Sequence, residues 1–198
     1  MGYTHYWDRP EEIDPEVFSS IISDFKQLLP LFKVLDIPLA GGHGEGEPDL
    51  TEEGAWFNGA IHCGHKKTES RGIPWPASHT KFGTAPTLQQ AIVGSWYAGV
   101  ELNQRSCPGD CSYETFYFPL KMEVEDWKTP KESGLYREYC KTAFRPYDLA
   151  VNAFLVIAKH YLGENLKVGS DGKVEHWIDA VQICQNAFGY GLEDFKLD

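Results

Sequence analysis

Two short clusters of metal-binding residue types constrain the fold of this chain more than any other feature of its sequence. Cys63 and His65 flank a single glycine, and further along the chain Cys107 and Cys111 flank a Pro-Gly-Asp turn. Two thiols four residues apart around such a turn can face one point, and a Cys-x-His pair can complete a tetrahedron. Three thiolates and one imidazole form a closed zinc shell, which usually stabilises a fold rather than running a reaction. The sequence therefore predicts one Zn²⁺ with these four residues as ligands.

Other interpretations of these clusters stay open at this stage. His62 competes with His65 as the fourth ligand. On an extended segment, however, the side chains of His62 and Cys63 would point to opposite sides. Cys107 and Cys111 could instead form a disulfide, or the thiols could stay unligated. A catalytic zinc would need an open coordination position, and Asp110 or Glu114 would then be the candidate base.

The length and charge of the chain disfavour several classes of protein. A chain of 198 residues with 42% hydrophobic residues suits a single domain spanning residues 1–198, with a metal-binding excursion at about 61–111. The net charge of −11 disfavours binding to nucleic-acid backbones and to anionic membranes. The first residues lack the basic and apolar regions of a signal peptide, and no stretch is apolar enough to span a bilayer. These features predict a cytoplasmic protein with reduced cysteines.

Hydrophobic periodicity predicts three long helices and several strands. Asp14 fits the N-cap of the first helix, and Pro30 is expected to kink or end it. Asn58 and Gly59 predict a hairpin turn between two strands. Further helices are expected at residues 87–93, 146–162 and 174–188, and strands at residues 4–7, 95–102, 113–120 and 166–168. This order predicts an α+β fold, with about three helices packed on a mainly antiparallel sheet and a small metal-stapled lobe.

A second set of polar residues predicts a site for a small anionic ligand. Lys141 and Arg145 flank the start of the second long helix, where free backbone N–H groups and a partial positive charge attract anions. Asn58 is expected to contribute to ligand binding. His5 and Glu114 each share a strand face with aromatic residues, so both are candidate acids or bases in a cleft beside a bound substrate.

The same residues also fit a purely structural role. Arg145 can pair with Asp148 or with another carboxylate, and Lys141 can lie in solvent. The imidazole of His5 can lie at the edge of the core with its hydrogen bonds satisfied. The carboxylate of Glu114 can pair with Arg145 or Lys141, because a buried carboxylate is costly unless it has a partner.

Three classes of function follow from these two sites. The first is an enzyme acting on a small anionic substrate, such as a nucleotide or a sugar phosphate. The second is a non-catalytic, zinc-stabilised module that binds a ligand or a protein. The third is a zinc-dependent hydrolase. A closed metal shell beside a polar cleft favours the first class, a closed shell without a cleft favours the second, and a metal-bound water favours the third.

Several motifs taken together resemble those of a family of small proteins from phages, bacteria and fungi. They are MGYTHYW at residues 1–7, FNG at 57–59, ETF at 114–116, CKTAFRPYD at 140–148, SDG at 170–172 and GYG at 189–191. The resemblance covers most of the chain, and no activity is established for that family. Shorter members lack the cysteine-bearing segments, which implies that the metal site is an accessory of this longer form with a structural role.

Overall fold

The computed structural model describes residues 3–65, 73–75, 100, 102–103, 105–124, 129–131 and 133–198. This part of the chain consists of three α-helices and antiparallel sheets, so the predicted α+β fold class is confirmed. The helix expected at residues 87–93 and most of the strand expected at 95–102 lie outside the described residues.

Seven short strands lie between the first and second helices of the described chain. The strands are β1 (Thr4–Arg9), β2 (Leu39–Ala40), β3 (Asp49–Leu50), β4 (Gly54–Gly59), β5 (Ile73–Trp75), β6 (Arg105–Cys107), β7 (Phe116–Pro119), β8 (Tyr136–Lys141) and β9 (Lys167–Ser170). The helices are α1 (Pro15–Val34), α2 (Asp148–Leu162) and α3 (Ile178–Phe188), with 3₁₀ turns at Gly163–Asn165 and Val174–Trp177.

Helix α1 begins where its sequence predicts but does not end at its proline. The side chain of Asp14 accepts hydrogen bonds from the backbone N–H groups of Glu16 and Val17, which caps the helix. Pro30 lies inside α1, which continues for another turn. Because Pro30 is exposed, the carbonyl group that it leaves without an intrahelical partner lies on the solvent side of the helix.

The first sheet has the order β8-β1-β9, with β1 in the centre and both pairings antiparallel. In this register His5 lies between Cys140 of β8 and Ser170 of β9. The sequence did not predict β8, because only one of its six residues is buried and its apolar alternation is weak.

The second sheet is built around β4, which pairs with β2, β3 and β7. The predicted hairpin at Asn58 and Gly59 is wrong, since both residues end β4 and pair with β2. Both residues contact residues 111–113, which precede β7. A Cβ atom on Gly59 would lie 2.0 Å from the carbonyl oxygen of Cys111, so only glycine fits there. Tertiary packing therefore overrides the local turn preference at this position.

Helix α2 forms the centre of the molecule, as its nearly continuous apolar sequence predicts. Every residue from Asp148 to Lys159 is buried, and α1 and α3 both pack against it. The ring of Phe154 contacts four other phenylalanine rings of α1 and the second sheet, which are Phe25, Phe57, Phe116 and Phe118. No helix within the described ranges is long and apolar enough to cross a membrane.

Candidate metal centre and its surroundings

The structure brings together the four residues that the sequence predicts as metal ligands. The donor atoms of Cys63, His65, Cys107 and Cys111 all lie within 4.8 Å of one another. The Sγ atom of Cys107 is 3.5 Å from that of Cys63 and 3.2 Å from that of Cys111. The Nδ1 atom of His65 is 3.2 Å from Sγ of Cys111. A tetrahedral zinc shell with Zn–S distances of about 2.3 Å has edges of about 3.8 Å, so these four donors fit such an ion after a small expansion.

Two chain segments position these donors. Cys63 and His65 follow β4, and the backbone between them turns at Gly64 with a φ of 78°. Cys107 ends β6 and begins the knuckle, defined as residues 107–111, which turns at Gly109 with a φ of 95°. The backbone N–H of Cys111 donates to the carbonyl of Ala60, which ties the knuckle to the first ligand segment.

A carboxylate outside the four donors orients the histidine. The Nε2 atom of His65 lies 3.1 Å from Oδ2 of Asp36, which leaves Nδ1 directed at the thiols. A carboxylate on the second ring nitrogen is the usual support of a metal-bound imidazole. Asp36 follows α1 in a left-handed backbone conformation with a φ of 58°. The competing residue His62 is exposed and does not belong to the cluster.

The three thiols perturb one another as closely packed acidic groups do. A hydrogen bond from Cys111 is the main factor that lowers the pKa of Cys107 to about 5. The same contact with Cys107, together with burial, raises the pKa of Cys111. Burial raises the pKa of Cys63. A bound divalent cation would replace the thiol protons and remove this conflict, so the donor chemistry fits a metal.

Next to the metal centre lies the ionic network, defined as His5, Arg105, Asp148 and Asp179. All four side chains are completely buried. The guanidinium of Arg105 bridges the two carboxylates, with Nε 2.8 Å from Oδ2 of Asp148 and Nη1 2.6 Å from Oδ2 of Asp179. The Nε2 atom of His5 lies 2.7 Å from Oδ1 of Asp148. The network therefore holds β1, β6, α2 and α3 together at one point.

Charge pairing within the network has a larger combined effect on the pKa values of Asp148 and Arg105 than burial has. Burial alone would raise the pKa of Asp148, but the neighbouring His5 and Arg105 lower it to about 2. For Arg105, burial would lower the pKa, but the two carboxylates raise it above its ordinary range. Arg105 and Asp179 were not singled out from the sequence. The residues before Cys107 show no apolar alternation that would mark Arg105 as a core residue.

The two predicted catalytic residues belong to separate sets of hydrogen bonds. His5 is fully buried in the ionic network, and its Nδ1 atom lies 3.0 Å from the hydroxyl oxygen of Ser170. The Oε2 atom of Glu114 accepts a hydrogen bond of 2.8 Å from the backbone N–H of Lys141. Within the described residues, no hydrogen bond or ion pair joins His5 to Glu114 or brings both to one open cleft.

Asn58 uses all of its hydrogen-bonding capacity on the backbone. Its Nδ2 atom donates to the carbonyl oxygens of Gly42 and Tyr113, at 3.3 and 3.1 Å. Its Oδ1 atom accepts from the N–H groups of Gly59 and Tyr113, at 2.8 and 3.0 Å. Asn58 thus fixes the backbone of Tyr113 on both sides.

Lys141 and Arg145 both lie over the exposed ring of Tyr113. These three residues are called the cationic surface below. The Nζ atom of Lys141 and the Cζ atom of Arg145 lie 5.8 and 5.7 Å from the ring centroid of Tyr113. Arg145 also donates a short hydrogen bond to the carbonyl of Asp110 in the knuckle. The alternative pairing of Arg145 with Asp148 is wrong, because Asp148 pairs with Arg105 and His5. Among the described residues, neither cation of this surface forms a salt bridge.

Comparisons of this chain with protein-family models, with curated proteins and with solved structures found no match.

Proposed function

We propose that this protein is a zinc-stabilised cytoplasmic module that binds a small anionic ligand. The observation that carries the proposal is the cluster of four protein donors, three thiols and one imidazole, within 4.8 Å of one another. Thiolate-rich donor sets select zinc over harder cations such as magnesium and calcium. All five cysteines are free thiols, which supports a reducing compartment.

The arrangement of the donors supports a structural metal over a catalytic one. Four protein ligands fill a tetrahedral zinc shell and leave no position for a reactive water. The hydrolase hypothesis would need an open position, with Asp110 or Glu114 near it as base. The Oδ1 atom of Asp110 instead accepts hydrogen bonds from the backbone N–H and the hydroxyl of Ser112, and Glu114 caps the backbone of Lys141.

The same contacts support binding over catalysis at the second site. A general acid or base has to reach the reacting proton of a substrate, directly or through one water. His5 is completely buried in the ionic network, and the Oε2 atom of Glu114 accepts a hydrogen bond from the backbone N–H of Lys141. The nucleotide or sugar phosphate considered as an enzyme substrate is therefore proposed as a bound ligand.

The cationic surface is the proposed anion-binding site. Both cations lie over the ring of Tyr113. Neither has a carboxylate partner among the described residues, although the protein carries a net charge of −11. A phosphate or carboxylate between Lys141 and Arg145 would complete charge-assisted hydrogen bonds with both. Asn58 takes part indirectly, because it fixes the backbone of Tyr113.

Elemental analysis tests the metal in this proposal. Protein purified without added metal is expected to contain about one equivalent of zinc per chain, because a preformed site with three thiolates binds the ion tightly. The variant Cys111→Ser should contain much less zinc, whereas Cys184→Ser, which changes a buried cysteine outside the cluster, should keep it. A folded, metal-free wild type in which Cys63, Cys107 and Cys111 titrate as free thiols would contradict the proposal.

A titration with simple anions tests the ligand. Inorganic phosphate, glucose 6-phosphate, AMP and succinate are each added to the wild type, and binding is measured by calorimetry. Lys141→Gln is expected to weaken binding of the best anion about tenfold, since a hydrogen bond to a charged group contributes about 1.5–3 kcal/mol. Lys167→Gln removes the same charge from an exposed position on β9 and is the matched control. Equal affinity of both variants for every anion would contradict the anion site.

A further inference from the structure

A row of exposed side chains crosses the outer face of the second sheet. Asp49 of β3 is paired with Trp56 of β4, and Trp56 is paired with Tyr117 of β7. Directly paired residues of antiparallel strands lie side by side on the same face of the sheet. The three residues are exposed, with 42% exposure for Trp56 and 48% for Tyr117. They are called the aromatic row below.

The tryptophan of this row lies on a built seat. A Cβ atom on Gly42 would lie 1.7 Å from Nε1 of Trp56, so the indole rests directly on the backbone of Gly42. The carbonyl oxygen of Gly42 accepts hydrogen bonds from the side chains of Asn58 and Thr115. The ring of Tyr117 lies 5.4 Å from the indole on the same face. Trp56 is therefore held in place although almost half of it faces water.

The row carries negative charge with no partner of its own. Among the described residues, the carboxylate of Asp49 forms no hydrogen bond or salt bridge. Near the other end of the row, burial raises the pKa of Tyr117, and the nearby Glu123 raises it further while Arg9 lowers it. An exposed indole beside an unpaired carboxylate is complementary to a guanidinium group, which can stack on the ring while it pairs with the carboxylate.

We propose that the aromatic row docks an arginine side chain of a basic partner protein. A protein segment fits better than a small molecule because small molecules are usually bound in concave pockets, whereas the row lies on the open face of a sheet. The net charge of −11 would accelerate the approach of such a partner. The row uses different residues from the metal centre and the cationic surface, so this inference does not depend on the proposed function.

Matched peptides test the chemistry of the docked group. The probe is an acetylated, amidated peptide of eight residues that alternates glycine and arginine, and its partner carries citrulline in place of arginine. Citrulline keeps the shape of arginine but removes its charge. Binding is followed by NMR through the indole N–H signal of Trp56, which is assigned by its loss in Trp56→Phe. The arginine peptide is expected to shift this signal and the citrulline peptide is not, and added salt should weaken the effect.

Matched variants test the location. Affinities of the variants are measured by calorimetry. Trp56→Ala is expected to weaken binding of the arginine peptide about fivefold, and Asp49→Asn about threefold, as the loss of a cation–π contact and of an exposed ion pair predicts. The controls remove similar groups elsewhere. Tyr139→Ala changes an exposed ring of the other sheet, and Glu164→Gln removes an exposed carboxylate after α2. Both controls should bind the peptide like the wild type.

Several outcomes would overturn the proposal. Equal binding of the arginine and citrulline peptides would show that the charge of the ligand does not matter. Equal weakening by Glu164→Gln and Asp49→Asn would show nonspecific attraction to an acidic surface. A shift of the Trp56 signal by methyl glucoside and not by the arginine peptide would assign the row to carbohydrate instead. Because Asp49→Asn changes only an exposed side chain, the test stands even if Trp56→Ala fails to fold.

Discussion

Removal of the metal is expected to unfold the core of this protein as well as the segments that carry the ligands. Cys107 is one of the four candidate ligands, and Arg105 at the start of the same short strand is completely buried between Asp148 and Asp179. His65 connects the metal centre to Asp36 at the end of α1. A structural zinc contributes about 10–16 kcal/mol in small zinc domains. That is comparable to the whole free energy of unfolding of a typical domain, about 5–15 kcal/mol.

Urea unfolding with and without a zinc chelator, under reducing conditions, measures this effect. Cys107→Ser should behave like the chelated wild type in both buffers. Cys184→Ala should stay sensitive to the chelator, because Cys184 packs against α2 outside the metal centre. Hydrogen exchange in the same samples reports where the structure opens. Full protection of α2 and α3 after zinc removal would show that the metal supports only its own segment.

The substitution Arg105→Met is expected to lower the free energy of unfolding by about 3–5 kcal/mol, because it leaves two buried carboxylates without their shared cation. Methionine fills much of the same volume, so the loss reports charge more than packing. Arg137→Met is the matched control. Arg137 pairs with Asp8 at 2.8 Å, but its side chain is 55% exposed, and an exposed pair contributes about 0–1 kcal/mol. Urea unfolding of both variants at pH 7 compares the two costs directly.

The pH dependence of Arg105→Met separates charge from shape. In the wild type the pKa of Asp148 is about 2, below its ordinary value. Asp148 therefore contributes stability that is present above about pH 4 and is lost as the pH falls towards 2. Without Arg105, one of the two positively charged partners that lower the pKa of Asp148 is lost, so this pKa rises. The deficit of the variant relative to the wild type should then shrink as the pH falls from 8 to 5. Metal ligands are common to both proteins, so a deficit that stays constant would assign the loss to packing.

The clustering of the four metal-binding side chains could be predicted because its chemistry is local. The two cysteines around a turn and the Cys-x-His pair each bring two donor atoms close together within one short segment. The contact between the two segments does not follow from the sequence. The central position of helix α2 could also be predicted, since a helix with apolar residues on nearly every side has to be buried. The choice of His65 over His62 followed from the alternation of side chains along the chain.

The ionic network could not be predicted because its members come from four distant segments. Arg105 lies in a polar stretch, and its burial depends on carboxylates of α2 and α3. The same limitation explains the wrong hairpin at Asn58 and Gly59. Asn-Gly favours a turn on its own, but here the asparagine side chain is committed to Gly42 and Tyr113 and the glycine to a close approach of Cys111.

The position of Arg105 also sets an order in which the chain can complete its fold during synthesis. All four metal ligands leave the ribosome before Asp148 and Asp179, the two partners of Arg105. A nascent chain can therefore capture zinc while the guanidinium is still in water. Since an unpaired charge is costly to bury, β6 is expected to dock only when α2 and α3 have been made. Until the last helix emerges, the apolar surface that β6 and the last helix cover is expected to stay exposed, which makes the nascent chain prone to aggregation.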